Sequence, residues 1–121
     1  VTHQVLSTRE RVARIREVGN PVADATAGML SFFHRYDTKN NGTEGAPLHD
    51  PCTIAWLLRP ELFRTKRCNV SVEKESKLTL GHTAVDFWQV TERPPNVDWS
   101  YEVDAEGFYD LLVERLGRFS E

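Results

Sequence analysis

His49 and Asp50 stand side by side, with Pro51 behind them and a turn-rich stretch, Asp37 to Pro47, just before. Histidine is the side chain whose ordinary titration falls near neutral pH, so an imidazole here is suited to general acid work. The adjacent carboxylate offers a hard oxygen to a divalent cation such as Ca²⁺. One carboxylate falls far short of the about six to eight oxygens that calcium takes, and the chain has no other compact acidic cluster to complete a cage. The same residues also read as a plain helix start, with Asp50 as N-cap, Pro51 in the first helical position and His49 exposed ahead of them. Local sequence alone favours that structural reading.

The remaining reactive types read as structure. Cys52 and Cys68 lie in apolar patterns without CxxC spacing, as reduced core thiols do. His82, beside Gly81, reads as a strand histidine with a satisfied hydrogen bond, and His3 carries no local signal. Trp88, Trp99 and Tyr101 read as core residues at strand spacing. Arg64, Lys66 and Arg67 form a short basic run, expected as a solvated strand edge that resists pairing with other chains.

These side chains need elements to hold them. Ser7-Thr8-Arg9-Glu10 has the capping-box pattern and starts a first helix with Val12, Ile15 and Val18 on one stripe. Gly19 stops it, and Asn20-Pro21 caps a second helix at once. Val22, Ala25, Met29 and Phe33 predict its apolar face and an end near His34 or Tyr36. A loop from Asp37 to Pro47 follows, then a short helix from Asp50 carrying Ile54, Leu57 and Leu58 and ended by Pro60. Cys68, Val70 and Val72 alternate with polar residues, predicting a strand. Lys74 to Lys77 reads as a turn, and Leu78-Thr79-Leu80 as the start of a partner strand, with Gly81 as a bulge or close approach. Val97, Trp99, Tyr101 and Val103 give the clearest strand. Asp104 caps a last helix with the stripe Phe108, Leu111, Leu112, Leu116 and Phe119. The expectation is several helices plus a small antiparallel set of strands.

Length and composition set the frame. The 121 residues are 40% apolar and 27% charged, with 15 Lys+Arg against 18 Asp+Glu and a net charge of −3. This is ordinary globular usage, not that of a collagen-like or disordered chain. The charge is too mild to point to nucleic acid or an anionic membrane as partner. No apolar run approaches the ~20 residues of a membrane helix. The chain opens at Val1 rather than Met, as a piece cut from a longer chain does.

The segment Pro47-Leu48-His49-Asp50-Pro51-Cys52-Thr53-Ile54-Ala55-Trp56-Leu57-Leu58-Arg59-Pro60-Glu61-Leu62-Phe63 resembles the C-terminal signature of the inosine-uridine preferring nucleoside hydrolases. Val1 to Leu6 resembles the family's Val-Thr-His stretch, Leu78 to Asp86 its G-x-T-x-x-D strand, and Val103-Asp104 through Leu112 its terminal helix. The four segments occur in the family's order and cover essentially the whole chain.

The resemblance implies an α/β fold, with residues 1–121 as the C-terminal portion of a single hydrolase domain. It implies hydrolysis of the N-glycosidic bond of ribonucleosides to free base and ribose. Carried over, His49 matches the histidine that protonates the departing base, and Asp50 the aspartate that binds catalytic Ca²⁺ and helps hold the ribose hydroxyls. His34 and Tyr36, near the end of the second helix, are the candidates for contacts to the base, while Phe33 reads as core. Nothing in the chain matches the family's D-x-D-P-G-x-D-D segment, which supplies most metal ligands and the base that activates water. The chain is therefore expected to be inactive alone, Ca²⁺ belonging to the complete enzyme. The family also implies a nucleoside as substrate, a cytoplasmic location, a role in salvage, and a homo-oligomer, with no nucleic acid or membrane partner. Purine against pyrimidine preference stays open. The alternative is a non-catalytic α+β binding module derived from the same family, which uses the Asp37–Pro47 loop to meet a partner.

Overall fold

A computed structural model of the chain describes residues 1–41 and 44–119. These form two compact units, one comprising Val1–Phe63 with the stretch from Glu102 onward, the other Arg64–Tyr101.

In the first unit, a 3-10 turn (Thr2–Gln4) leads into β1 (Leu6–Ser7), α1 (Arg9–Arg16) and α2 (Pro21–Asn41). β2 (Ala46–Pro47) pairs antiparallel with β1, Leu6 opposite Pro47 and Ser7 opposite Ala46. α3 (Asp50–Leu58) follows, then a 3-10 turn (Pro60–Leu62), and α4 (Ala105–Leu116) closes the chain. The capping box is displaced by one residue from its expected place. Thr8 is the N-cap, its Oγ1 accepting from Arg11 N at 3.3 Å. Ser7 is fully buried instead, its hydroxyl donating to Ala46 O at 2.8 Å. A buried hydroxyl must find a partner, and the β1–β2 ladder supplies one.

Gly19 ends α1 in the left-handed region, at φ +72°. Asn20 then caps α2, its Oδ1 accepting from Ala23 N at 2.9 Å, while its Nδ2 donates to Leu116 O at 2.9 Å. α2 runs on to Asn41, so the expected loop from Asp37 begins as helix; Gly42 and Thr43 lie outside the described residues. Its inner face also differs from the expected stripe. Ala23 and Ala27 are buried, whereas Val22, Met29 and Phe33 are exposed. Small side chains let α2 lie close against its neighbours, and the large apolar ones point away from this core. α3 repeats the pattern, with Cys52 and Ala55 inside and Ile54, Leu57 and Leu58 outside.

The core joins Val5, Val12, Ile15, Leu48, Phe63, Phe108 and Tyr109 with these small residues. On α4 the stripe of Phe108, Leu111 and Leu116 is buried as expected; Phe119, beyond the helix end, is exposed. Asp104 caps α4 by accepting from Gly107 N at 3.0 Å. Arg11 pairs with Glu106 and stacks 4.7 Å over Tyr109, fastening α1 to α4.

The second unit is built on a three-stranded sheet in the order β4–β3–β5, from β3 (Phe63–Val72), β4 (Thr83–Asp86) and β5 (Val97–Val103). β3 and β4 are antiparallel, Asn69 opposite Asp86 and Val72 opposite Thr83. Leu78-Thr79-Leu80 is a turn rather than a strand start, because local side chains take its backbone donors. The Glu73 carboxylate accepts from Glu75 N and Ser76 N, and Ser76 Oγ from Leu78 N and Thr79 N. Gly81, at φ +84°, turns the chain into β4, and the backbone of His82, ahead of that strand, bonds Thr79 and Glu73.

The basic run belongs to the middle strand, not to an edge. Lys66 Nζ lies 4.4 Å from the Phe87 ring centre and 5.3 Å from that of Trp88. Arg64 sits over Tyr101, and Arg67 meets Asp98 at 3.2 Å. Trp88 is 79% exposed, against the expectation of a core position. Both cysteines are free thiols and buried.

Candidate active site

The two chemically suggestive residues stand at the start of α3, His49 just before it and Asp50 as its first residue, and the segment leading to them runs beside the N-terminal strand. Leu48 N donates to Val5 O at 2.9 Å, extending the β1–β2 ladder to the residue just before His49. Gly45 lies so close to β1 that a Cβ there would come within 2.9 Å of Ser7 backbone carbon. Glycine is needed for this approach. The chain is thus held by Val5 through Ser7 as far as Leu48, the residue before His49.

His49, not Asp50, is the N-cap of α3, and its side chain makes no capping bond. Asp50 and Pro51 are the first and second helical residues, still within the turn whose N–H groups have no helical partner. The Asp50 carboxylate therefore sits at the positive end of the helix dipole, where an anion is favoured. Both side chains are exposed. His49 Nδ1 pairs with Thr2 Oγ1 at 2.8 Å, and the His3 ring meets the His49 ring edge-on, centres 5.4 Å apart and planes at 66°. Thr2 and His3 were missed by local reading. The only signal for them is the resemblance of Val1 to Leu6 to a family segment, which says nothing of contact with His49.

His34 and Tyr36 lie on α2. His34 is half-buried and lines a cavity of about 620 Å³ together with Ser7, Arg16 and Ser31; neither His49 nor Asp50 lines it. Tyr36 is exposed. Among the described residues no three His, Cys, Asp or Glu side chains gather as a metal site. Asp50 is the right kind of donor for calcium, but one carboxylate does not fit the ion's need for about six to eight oxygens. Chemically, the arrangement offers a presented imidazole with one nitrogen engaged, next to an anionic oxygen donor at a helix mouth.

The chain thus combines helices and small antiparallel sheets with an exposed imidazole set beside a carboxylate. The chain belongs to the inosine-uridine preferring nucleoside hydrolase family, whose model matches residues 1–110. It is 48% identical over 120 residues to the pyrimidine-specific ribonucleoside hydrolase RihA of Photobacterium profundum, covering 98% of this chain and 39% of that one. With RihA of Enterobacter sp. the identity is 49% over 121 residues, covering 99% and 39%. Among solved structures, the plant nucleoside hydrolase PpNRh1 superposes with a TM-score of 0.81 at 25% identity, covering 98% of this chain and 39% of that one. The purine-preferring ribonucleoside hydrolase from Gardnerella vaginalis does so with 0.77 at 26%, covering 96% and 37%. The chain thus spans about 39% of the length of the curated relatives it matches. No helix among the described residues is long and apolar enough to cross a membrane.

Proposed function

We propose that this chain is the C-terminal portion of a ribonucleoside hydrolase, contributing the general acid His49 and one calcium ligand, Asp50, to a site completed by the rest of a single domain. The observation that carries the reading is the exposed His49 imidazole, which follows Leu48, itself bonded to Val5 O, pairs at Nδ1 with Thr2 Oγ1, and stands directly beside Asp50.

In the proposed reaction the bond between the base nitrogen and ribose C1′ breaks and its electron pair goes to the base. A base expelled as an anion leaves poorly, so a proton delivered by His49 as the bond stretches gives the largest gain. Water adds to C1′, giving ribose, and the proton it loses returns through solvent to recharge the imidazole. The transition state has oxocarbenium character, in physical kinship with glycoside hydrolysis. Asp50 helps to hold the ribose hydroxyls. The chemistry a bound calcium supplies is a more acidic water and an oriented sugar, and Asp50 alone is too small a ligand set to hold it.

His34 and Tyr36 are proposed to approach the base. The RihA relatives are named pyrimidine-specific at 48–49% identity, and the purine-preferring structure stands at 26%, which favours a pyrimidine ribonucleoside as substrate. The proposal carries with it a cytoplasmic homo-oligomer acting in nucleoside salvage. The competing binding-module reading used the Asp37–Pro47 stretch as an open loop, and α2 takes that stretch as far as Asn41.

Ribose release from uridine and inosine tests the reading. The full-length enzyme should turn over uridine at an enzymic rate, and the 121-residue chain should release none above background. Ribose release by the short chain would refute the shared site, and an inert full-length protein would refute the activity.

A further inference from the structure

We propose that Thr2 is a positioning residue for His49: its hydroxyl oxygen accepts from Nδ1–H, leaving Nε2 as the nitrogen that delivers the proton. The inference rests on the acid role given to His49 above.

The contact joins residues 47 positions apart, with Oγ1 and Nδ1 at 2.8 Å. Thr2 does not reach it by chance of a loose terminus. The 3-10 turn from Thr2 to Gln4 is closed by Gln4 N to Val1 O at 2.8 Å and Val5 N to Thr2 O at 3.0 Å. Val5, fully buried, anchors the turn from below, and its carbonyl takes Leu48 N, one residue before His49. Gln4 Oε1 accepts from Val103 N at 3.0 Å, securing the turn on a further side. The turn and the Leu48 backbone are therefore joined by hydrogen bonds, and the Thr2–His49 contact links them again through side chains. The His3 ring lies edge-on to the imidazole, centres 5.4 Å apart.

The bond has a direction that suits an acid. In the imidazolium both ring nitrogens carry protons, and Nδ1–H donates to Thr2 Oγ1. Nε2 then gives its proton to the departing base nitrogen as the glycosidic pair of electrons moves there. What remains is a neutral imidazole protonated at Nδ1. Which nitrogen keeps the proton is set by the hydrogen bond the other makes, and in water the neutral ring prefers Nε2–H. Thr2 thus stabilises the form of His49 that exists just after proton transfer.

Thr2→Val keeps the shape and deletes the hydroxyl; Thr2→Ser keeps the hydroxyl. In ¹⁵N spectra recorded in alkaline solution, the parent and Thr2→Ser should show His49 protonated at Nδ1, and Thr2→Val should move the proton to Nε2. In the full-length enzyme, Thr2→Val should lower kcat on uridine by about tenfold, the worth of one hydrogen bond, with KM unchanged. Hydrolysis of p-nitrophenyl riboside, whose leaving group needs no proton, should stay within about twofold, and Thr2→Ser should restore uridine turnover. An unchanged tautomer and kcat in Thr2→Val would overturn the proposal. So would an equal loss on both substrates, which marks a structural role. Should Thr2→Val not fold, Thr2→Ala is read by the same two measurements. If His49→Ala leaves uridine turnover unchanged, the acid role itself fails; if His49→Ala is slow and Thr2→Val is not, only the positioning role fails.

Discussion

In the proposed mechanism His49 hands over its proton from one ring nitrogen and needs the other held; Thr2 Oγ1 lies 2.8 Å from its Nδ1. Elsewhere a side chain does comparable work on backbone. Asp86 accepts from Val90 N, Thr91 N and the Thr91 hydroxyl, tying together a loop in which Gln89 and Glu92 adopt positive φ. The Thr91 hydroxyl first, and the backbone amides after it, hold the Asp86 carboxyl below its ordinary value. A lowered carboxylate pKa contributes stability above the unfolded-state value, and that contribution is lost as pH falls through the folded value. The loop should therefore stay intact down to about pH 4 and loosen below it, read as loss of amide protection at Val90 and Thr91. Asp86→Asn should abolish that acid dependence; protection that persists unchanged at low pH would contradict it. At this scale the chain was legible where chemistry is contiguous. His49 and Asp50 are neighbours, so their pairing is visible in the sequence, although their proposed roles came from the family resemblance and not from local pattern. Thr2 lies 47 residues from His49, and no local pattern reports a contact made by folding.

Among the elements, helix ends were the most readable, because capping is decided within a few residues. Gly19, Asn20 and Asp104 all act as their types predict. Removing the Asp104 cap should cost about 1 kcal/mol. Asp104→Ala is accordingly expected to lower the melting temperature by a few degrees, measured by circular dichroism, with no change in far-UV spectrum before melting; an unchanged melting temperature would show the cap to be idle. The misreadings arose where a tertiary or side-chain partner outbid the local pattern. Ser7 looks like an N-cap but is drawn into the β1–β2 ladder. Leu78-Thr79-Leu80 looks like strand, but Ser76 takes its amides. On α2 and α3, periodicity found the helices yet chose the wrong inner face, since alanines and Cys52 face this core and larger residues do not.

Those outward faces belong to the whole molecule. Met29, Phe32 and Tyr36 on α2, and Ile54 and Leu57 on α3, are each more than half exposed. Apolar surface on this scale is rarely left bare by a solitary soluble domain. It accords with a chain that spans about 39% of its relatives' length, and with the proposal that the remaining ligands of the site lie in that other part. Family and fold were legible because four segments keep their order along the chain. Of the proposed site, this chain holds His49 and Asp50, and the sequence offers no further ligands for it. The account stands most squarely on His49 as proton donor. Full-length His49→Ala should be compared with the parent on uridine and on p-nitrophenyl riboside. The expected result is a fall of about 10²- to 10³-fold in kcat on uridine, with p-nitrophenyl riboside hydrolysis reduced by less than about tenfold. Uridine turnover equal to that of the parent would contradict it.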